Sequence, residues 1–161
     1  MKVLVACEYS GAVRDEFLKL GHDAFSCDIL PCESDYKKEE HRHFKCDVTD
    51  MLREDQEWDL IIGHPPCTHL AVSGARWFTE GRKPWSLQEE ALEFVQLLMD
   101  APAKRICIEN PVSVISTKIR KPEQIIQPYH FGHTTMKTTC LWLKNLPPLK
   151  HTEVVEPEMI T

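Results

Sequence analysis

The sequence predicts a single-domain α/β fold with a mainly parallel β-sheet and helices on its faces. Short apolar runs with the character of strands alternate along the chain with segments that have helical apolar spacing. One of these runs, Trp58–Gly63, is almost continuously apolar, which is typical of a strand buried in a parallel sheet. The chain has 161 residues, of which 42% are hydrophobic, and this is enough to build the core of one domain.

The first three elements are predicted to form half of a nucleotide-binding βαβ unit. The β-branched apolar run Lys2–Cys7 predicts the first strand. Apolar residues at helical spacing predict a helix over Ala12–Leu20, which ends before Gly21, where a C-terminal glycine is common. The run Ala24–Asp28 predicts a second strand that ends in an acidic residue.

The middle of the chain predicts a loop and two short elements before the buried strand. Pro31–Arg42 is polar and charged, as expected for a loop. Phe44–Asp47 is a candidate short strand, and Asp50–Leu52 is a candidate start of a short helix. The strand Trp58–Gly63 runs into His64-Pro65-Pro66-Cys67, where two prolines end the hydrogen-bond ladder and force an irregular loop.

The second half of the chain predicts one long helix and three further strands. Trp77–Pro84 is expected to be a loop. Ser86–Asp100 carries an apolar stripe at helical spacing, and Ser86 with Glu89 has the spacing of a capping box at its start. The strands are expected at Arg105–Glu109, which is apolar enough to be buried, and at the sheet edges Ile125–Gln127 and Thr138–Leu143.

Composition limits the classes of protein that fit this chain. Residues 1–150 are expected to form the α/β domain, and residues 151–161 a C-terminal tail. The formal net charge of −6 is unfavourable for tight, non-specific binding of this chain alone to a phosphate backbone. The seven cysteines are scattered without a C-x-x-C pair, and no apolar run approaches the ~18 residues that a membrane span needs. We therefore expect a cytoplasmic protein with reduced thiols and no membrane contact.

Unusual residues follow four of the predicted strands, and ligands bind beyond the carboxyl ends of parallel strands. These residues are Glu8-Tyr9-Ser10-Gly11, Asp28, His64-Pro65-Pro66-Cys67 and Glu109-Asn110-Pro111. Their coincidence predicts one crevice that holds a nucleophile, Cys67, and an acid, Glu109. Each also has an ordinary structural explanation, because Cys67 fits a tight turn, Glu109 fits a pair with Lys104 or Arg105, and Asp28 fits the cap of a turn.

Together with Asp47, these residues resemble the cytosine-5 DNA methyltransferase family over about Lys2 to Leu146. The order of the Gly11 turn, Asp28, Asp47, Pro66-Cys67 and Glu109-Asn110 is similar to the order of that family's motifs. The resemblance is closest to its small stand-alone phage and prophage members, which lack a target-recognition domain. It implies a Rossmann-like, S-adenosylmethionine-dependent methyltransferase fold, with S-adenosylmethionine as the cofactor.

The resemblance also implies a role for each matching residue. Cys67, expected beside a helix N-terminus that activates its thiol, would be the nucleophile. Glu109 would hold the cytosine ring, and Asn110 would fix the loop around Pro66. Thr68 and Lys137 would contact the substrate. The residues implied to hold S-adenosylmethionine are Glu8, Tyr9, Ser10, Gly11, Asp28, Ile29, Asp47, Val48, His64 and Pro65.

Two departures from the family's pattern are visible in the sequence. Tyr9 stands where the family has the first glycine of its first turn, so only Gly11 matches there. The family's later Gln-x-Arg-x-Arg element has no true counterpart, and in its place only Lys137 keeps a charge.

The implied function is methyl transfer to C5 of a cytosine in DNA or in a pyrimidine nucleotide. Because no target-recognition domain is evident, three acceptors are open: a free nucleotide, single-stranded nucleic acid, or DNA presented by a recognition subunit. A homo-oligomer is a further possibility. The basic residues expected around the Glu109 strand are candidate phosphate contacts: Lys104, Arg105, Lys118, Arg120 and Lys121.

Three alternatives remain at the level of the sequence. The first is a cofactor- or nucleotide-binding protein of the same fold without catalysis. The second is an accessory subunit of a larger DNA-modifying system. The third is a metal protein, because His64-x-x-Cys67-x-His69 and His41-x-His43-x-x-Cys46 carry ligand types at workable spacings.

Overall fold

A seven-stranded sheet forms the centre of the computed structural model, which describes residues 1–159. The strand order is β3-β2-β1-β4-β5-β7-β6. Strands β1 to β5 pair in parallel, whereas β7 runs antiparallel to both β5 and β6. The strands are β1 Lys2–Ala6, β2 Asp23–Asp28, β3 His43–Lys45, β4 Trp58–Gly63, β5 Ala103–Pro111, β6 Gln124–Ile126 and β7 Thr139–Lys144.

Helices cover both faces of the sheet. Alternate side chains of β1 point to opposite faces, and those on each face pack against a different helix. Leu4 and Ala6 belong to the larger apolar cluster, together with residues of α3. Val3 and Val5 point to the other face and belong to a smaller cluster with α1. The α-helices are α1 Ala12–Lys19, α2 Arg76–Thr79, α3 Trp85–Met99 and α4 Ile115–Lys118. Single 3₁₀ turns lie at Lys38–Glu40, Val48–Met51, Val72–Gly74 and Pro128–His130.

The mixed α/β class and the mainly parallel sheet are confirmed, and the predicted strands occur with ends shifted by at most two residues. The expectation that Thr138–Leu143 lies at a sheet edge is wrong, because β7 pairs with β5 on one side and β6 on the other. The short helix expected from Asp50 is the 3₁₀ turn Val48–Met51. The prediction of an uninterrupted loop over Trp77–Pro84 is wrong, because α2 extends into it. The α4 turn was not predicted, since four residues carry too little periodicity to indicate a helix.

The capping box predicted for Ser86 and Glu89 is also wrong. Helix α3 begins one residue earlier, at Trp85, and Pro84 in an extended conformation is its N-cap. Ser86 therefore lies inside the first turn, and no side chain caps the helix. Proline fits this boundary because its fixed φ suits the entry to a helix.

The strand order places a ligand-binding crevice at the centre of the sheet. The order β3-β2-β1-β4-β5 is that of doubly wound, nucleotide-binding sheets, and it reverses direction between β1 and β4. Ligands of such sheets bind beyond the carboxyl ends of the strands at this reversal. No helix within residues 1–159 is long and apolar enough to cross a membrane.

Residues 151–158 lie along the 3₁₀ turn Pro128–His130 and the residues that follow it. The backbone amides of Val155 and Glu158 donate to the carbonyls of Tyr129 and Thr134, and the His151 ring stacks on His130 at 3.9 Å between centroids. The predicted tail, as far as residue 159, is thus hydrogen-bonded to the preceding residues.

Candidate functional site

A cavity of about 680 Å³ opens beyond the carboxyl ends of the parallel strands, within the usual range for small-molecule sites. Each of β1 to β4 contributes residues from the segment that directly follows it. The lining residues at these strand ends are Cys7 and Tyr9 after β1, Asp28 as the last residue of β2 with Ile29 and Leu30 after it, Cys46, Asp47 and Val48 after β3, and His64, Pro66 and His69 after β4.

One face of α3 forms a further part of the cavity wall. Leu87, Glu90, Ala91 and Phe94 all line the cavity and lie at positions i, i+3, i+4 and i+7 of one helical stripe. This stripe gives no functional signal in the sequence, because its residues are ordinary for an amphipathic helix. The spacing alone would have found it only if the orientation of α3 had been known.

Two carboxylates, Asp28 and Asp47, stand in the cavity wall. Asp28 Oδ1 accepts a hydrogen bond from the Leu30 amide at 2.9 Å. Asp47 Oδ1 accepts from both the amide and the hydroxyl of Thr49, and these bonds hold the pKa of Asp47 below its usual range. The second oxygen of each carboxylate has no recorded partner within residues 1–159. Both acids thus keep an acceptor for ligand hydroxyl or amino groups.

The turn after β1 serves mainly to start α1, which differs from the cofactor contacts expected of Glu8, Ser10 and Gly11. The buried Glu8 carboxylate accepts from the amides of Val13 and Arg14 at 2.8 and 3.2 Å. Ser10 Oγ donates to that carboxylate, and Gly11 is the N-cap of α1 with φ +78°. None of these three residues is among those that line the cavity described above.

Tyr9 lies at the rim of the cavity and leaves it open. Its side chain is 41% exposed and forms part of the lining. The preceding Cys7 has φ +62°, a left-handed conformation that turns the chain sharply as it leaves β1. Replacement of the family's first glycine by Tyr9 is therefore compatible with an accessible cavity.

Backbone and side-chain hydrogen bonds join the Cys67 turn to the segment that follows β5. Asn110 is buried, and its Nδ2 donates to the Pro65 carbonyl at 2.8 Å, which fixes the loop ahead of Pro66. The amide of Val72 donates to the Val112 carbonyl at 3.3 Å. The amide of Val114 donates to the Leu70 carbonyl at 3.0 Å. Residues of the two segments are thus held side by side at the carboxyl ends of the parallel strands.

Glu109 pairs with His64, which links it to the cavity. His64 Nδ1 and Glu109 Oε2 are 3.0 Å apart, and each side chain is 28% exposed. His64 Nε2 is buried and has no hydrogen-bond partner in residues 1–159. The alternative pairing of Glu109 with Lys104 or Arg105 is wrong, since β5 carries those residues at its amino end, ~15 Å away along the strand.

Cys67 is exposed and lies in a turn rather than at the start of a helix. Its carbonyl accepts from the amides of Leu70 and Ala71, both at 3.0 Å. The expected helix N-terminus beside Cys67 is therefore absent, because the next helical turn within residues 1–159 begins only at Val72. Pro66 reaches the cavity wall, while the Cys67 side chain lies outside the lining residues.

The other thiols near the cavity are poor nucleophiles. Burial raises the pKa of Cys7 and of Cys27 to about 12, and the nearby Asp28 carboxylate adds to this effect. Burial likewise raises the pKa of Cys107 to about 11. Because the thiolate is the reactive form, these cysteines serve as small core residues.

The remaining residues predicted to contact cofactor or substrate lie in different places relative to the cavity. Thr68 is exposed beside Cys67, and Pro65 is buried away from the cavity lining. Lys137 is exposed two residues before β7, whose first residue pairs with Pro111, so it lies at the edge of the sheet that carries Glu109. Lys104 binds Asp59 at 3.3 Å at the opposite end of the sheet and is excluded as a phosphate contact for this site.

Neither candidate metal cluster is assembled. Within residues 1–159, no group of three His, Cys, Asp or Glu side chains is arranged to hold a metal ion. His64 pairs with Glu109 through Nδ1, and both ring nitrogens of His43 are bonded, to Ser26 Oγ at 2.8 Å and to the Leu30 carbonyl at 2.9 Å.

Comparison with solved structures finds a similar fold in a prophage-encoded protein of E. coli, provisionally identified as a DNA modification methyltransferase. The TM-score is 0.53 at 15% sequence identity, so the similarity is one of fold. The match covers 89% of this chain but only 46% of the E. coli chain, which is therefore about twice as long. The sequence matches no protein-family profile, and no curated protein matches it.

Proposed function

We propose that this protein transfers a methyl group from S-adenosylmethionine to C5 of a cytosine in DNA. The observation that carries the proposal is the hydrogen bond from Asn110 to the Pro65 carbonyl. It ties the loop that leads into Pro66 and the exposed Cys67 to β5, the strand that carries Glu109. The fold shared with the E. coli protein and the order of the motifs support the same assignment.

The cavity fits S-adenosylmethionine in size and chemistry. Ile29, Val48 and Phe94 offer apolar surfaces to an adenine ring, and Asp28 would accept hydrogen bonds from the ribose hydroxyls. Asp47, whose pKa is held low by Thr49, would accept from the adenine amino group. When bound, S-adenosylmethionine supplies a methyl group that its sulfonium sulfur makes reactive.

Cys67 and Glu109 would act on different atoms of the cytosine ring. The Cys67 thiolate would add to C6, which breaks the C5–C6 double bond and makes C5 a nucleophile. C5 would then take the methyl group as its bond to the sulfonium sulfur breaks, and this leaves S-adenosylhomocysteine with the electrons of that bond. Glu109 hydrogen-bonds the ring N3 and the exocyclic amine, which stabilises the charge that develops as sulfur adds. A base then removes the C5 proton, the double bond re-forms, and the thiolate of Cys67 leaves.

The decisive experiment is a methyl-transfer assay with labelled S-adenosylmethionine and cytosine-containing DNA, with the product analysed for 5-methylcytosine. Cys67→Ala is expected to lower kcat/KM by at least about a thousandfold, because the nucleophile is lost. Cys32→Ala is the matched control, since this cysteine lies in the loop after β2 and its removal should leave the activity unchanged.

A second readout tests the covalent step directly. With 5-fluorocytosine in the DNA, the C5 position cannot release a proton, so the Cys67 adduct should persist and be detectable by mass spectrometry. Full activity of Cys67→Ala, or methylation at a position other than C5, would contradict the proposal. Binding of S-adenosylmethionine in calorimetry without any transfer would favour the non-catalytic alternative.

A further inference from the structure

Aromatic and basic side chains are concentrated between residues 69 and 85, directly after the Cys67 turn. The buried Phe78 stacks against Trp85, with 5.2 Å between ring centroids and 24° between the ring planes. His69 packs edge-on against Phe78 at 6.2 Å. We call this set the aromatic–basic cluster: His69, Arg76, Trp77, Phe78, Arg82, Lys83 and Trp85.

Trp85 is both exposed and well supported. As the first residue of α3, it is anchored on a helix of 15 residues, and Phe78 supports its ring. It nevertheless remains 52% exposed. An ordered indole with this much free surface can stack against a flat ligand at a small cost in conformational entropy.

Three cations surround these rings. The guanidinium groups of Arg76 and Arg82 lie 4.5 and 5.0 Å from the Trp77 ring centroid. Lys83 Nζ lies 5.6 Å from the Phe78 centroid and 3.5 Å from the Thr68 carbonyl. Among the residues the structure describes, Glu80 is the only acid that forms an ion pair with them, and that pair with Arg82 is exposed.

The charge of the cluster is opposite to that of the whole chain. Residues 69–85 contain three basic side chains and one acidic one, whereas the full chain has a net charge of −6. The cluster also adjoins the proposed reaction centre, because His69 lines the cavity and Lys83 touches the residue next to Cys67. A polyanion attracted to this protein would therefore meet it beside Cys67.

We propose that the aromatic–basic cluster binds single-stranded DNA, with Trp85 stacking on a base and Arg76 and Lys83 contacting phosphates. Stacking aromatics interleaved with cations are the features by which proteins bind unpaired strands. Bases in a duplex are already stacked on one another, so a duplex offers no free base face to Trp85. This inference deepens the proposed function, because it names the form of DNA presented to Cys67.

The test is a binding measurement without any methyl donor, so that its outcome does not depend on methyl transfer. A fluorescent, cytosine-containing oligonucleotide of about 12 nucleotides is titrated by anisotropy, as a single strand and as a duplex. We expect the single strand to bind at least about tenfold more tightly than the duplex. Trp85→Ala should weaken single-strand binding roughly tenfold to a hundredfold, and Trp85→Phe should keep most of it.

Matched variants separate the loss of a DNA contact from a loss of stability of the fold. Leu97→Ala changes another exposed apolar residue of α3, 43% exposed, and should leave binding unchanged. Arg76→Gln should lower the slope of log affinity against log salt by about 0.7, whereas Arg53→Gln, ahead of β4, should not. Equal affinity for single strand and duplex, or unchanged binding by Trp85→Ala, would overturn the inference. Single-strand binding without methyl transfer would instead refute only the proposed function.

Discussion

His64 is the residue through which the cavity and Glu109 are connected. It leaves β4 at the switch point of the sheet, lines the cavity, and pairs through Nδ1 with a carboxylate 45 positions later in the chain. A carboxylate held by one imidazole nitrogen has a defined orientation, which a freely rotating Glu109 would lack. We therefore assign His64 the role of a positioning residue for Glu109.

The His64→Ala variant tests this role in the methyl-transfer assay. Loss of the hydrogen bond to Glu109 should lower kcat/KM about tenfold or more, mainly through kcat, because the carboxyl group is no longer held in one orientation. His64→Asn places an amide nitrogen near the position of Nδ1 and should restore most of the activity. The exposed His133, changed to alanine, is the control. An unchanged kcat in His64→Ala would show that the pairing has no catalytic consequence.

Helix α1 is bracketed by two glycines, and only the first is restricted by its neighbours. Gly11 and Gly21 both have positive φ, of 78° and 87°. A Cβ at Gly11 would lie 2.7 Å from Ser34 Cβ and 2.9 Å from Arg14 Nη2, whereas a Cβ at Gly21 would have nothing within 4 Å. The close approach exists because Ser34 bonds Asp15 and so draws the loop after β2 onto α1.

This difference predicts unequal costs for two chemically identical changes. Gly21→Ala should lower the free energy of unfolding by about 1 kcal/mol, the cost of a left-handed alanine. Gly11→Ala should lower it by about 2–4 kcal/mol, since the steric clash adds to the same backbone cost. Urea unfolding of both variants measures the difference. Equal losses of unfolding free energy in the two variants would mean that the loop after β2 can move away from α1 without a further loss of stability.

For the molecule as a whole, the buried thiols make the free energy of unfolding depend on pH in the alkaline range. Cys27 is fully buried on β2, and burial raises its pKa from 9.0 to about 12. In the unfolded chain this thiol ionises first, so its contribution to stability is complete below about pH 9. That contribution is lost as the pH rises from about 9 towards 12.

The pH dependence of unfolding provides the measurement. Between pH 8 and pH 10, we expect wild type to lose about 1 kcal/mol more of its free energy of unfolding than Cys27→Ala. Val5→Ala also opens a cavity at a fully buried position but removes no titratable group, so it should keep the wild-type pH dependence. Identical pH dependence of wild type and Cys27→Ala would show that this thiol is not protected in the folded state.

Much of the fold could be predicted because its determinants are local. The strands β1, β2, β4 and β5 and helix α3 each carry their own apolar pattern, and that pattern depends only on spacing along the chain. The ends of these strands could be recognised in the same way, since glycines, prolines and acids stop an apolar run. Short elements such as α2 and α4 carry too few residues for a pattern and were not predicted.

By itself, then, the sequence determined the α/β class, the long elements and the set of residues at the strand ends. The tertiary structure alone decided which of them meet: His64 with Glu109, Asn110 with Pro65, and Phe78 with Trp85. It also placed Lys104 at the far end of the sheet and the Glu8 carboxylate on the first-turn amides of α1. The physical reason is that such contacts depend on strand order and helix orientation, which are set by packing between residues far apart in the chain.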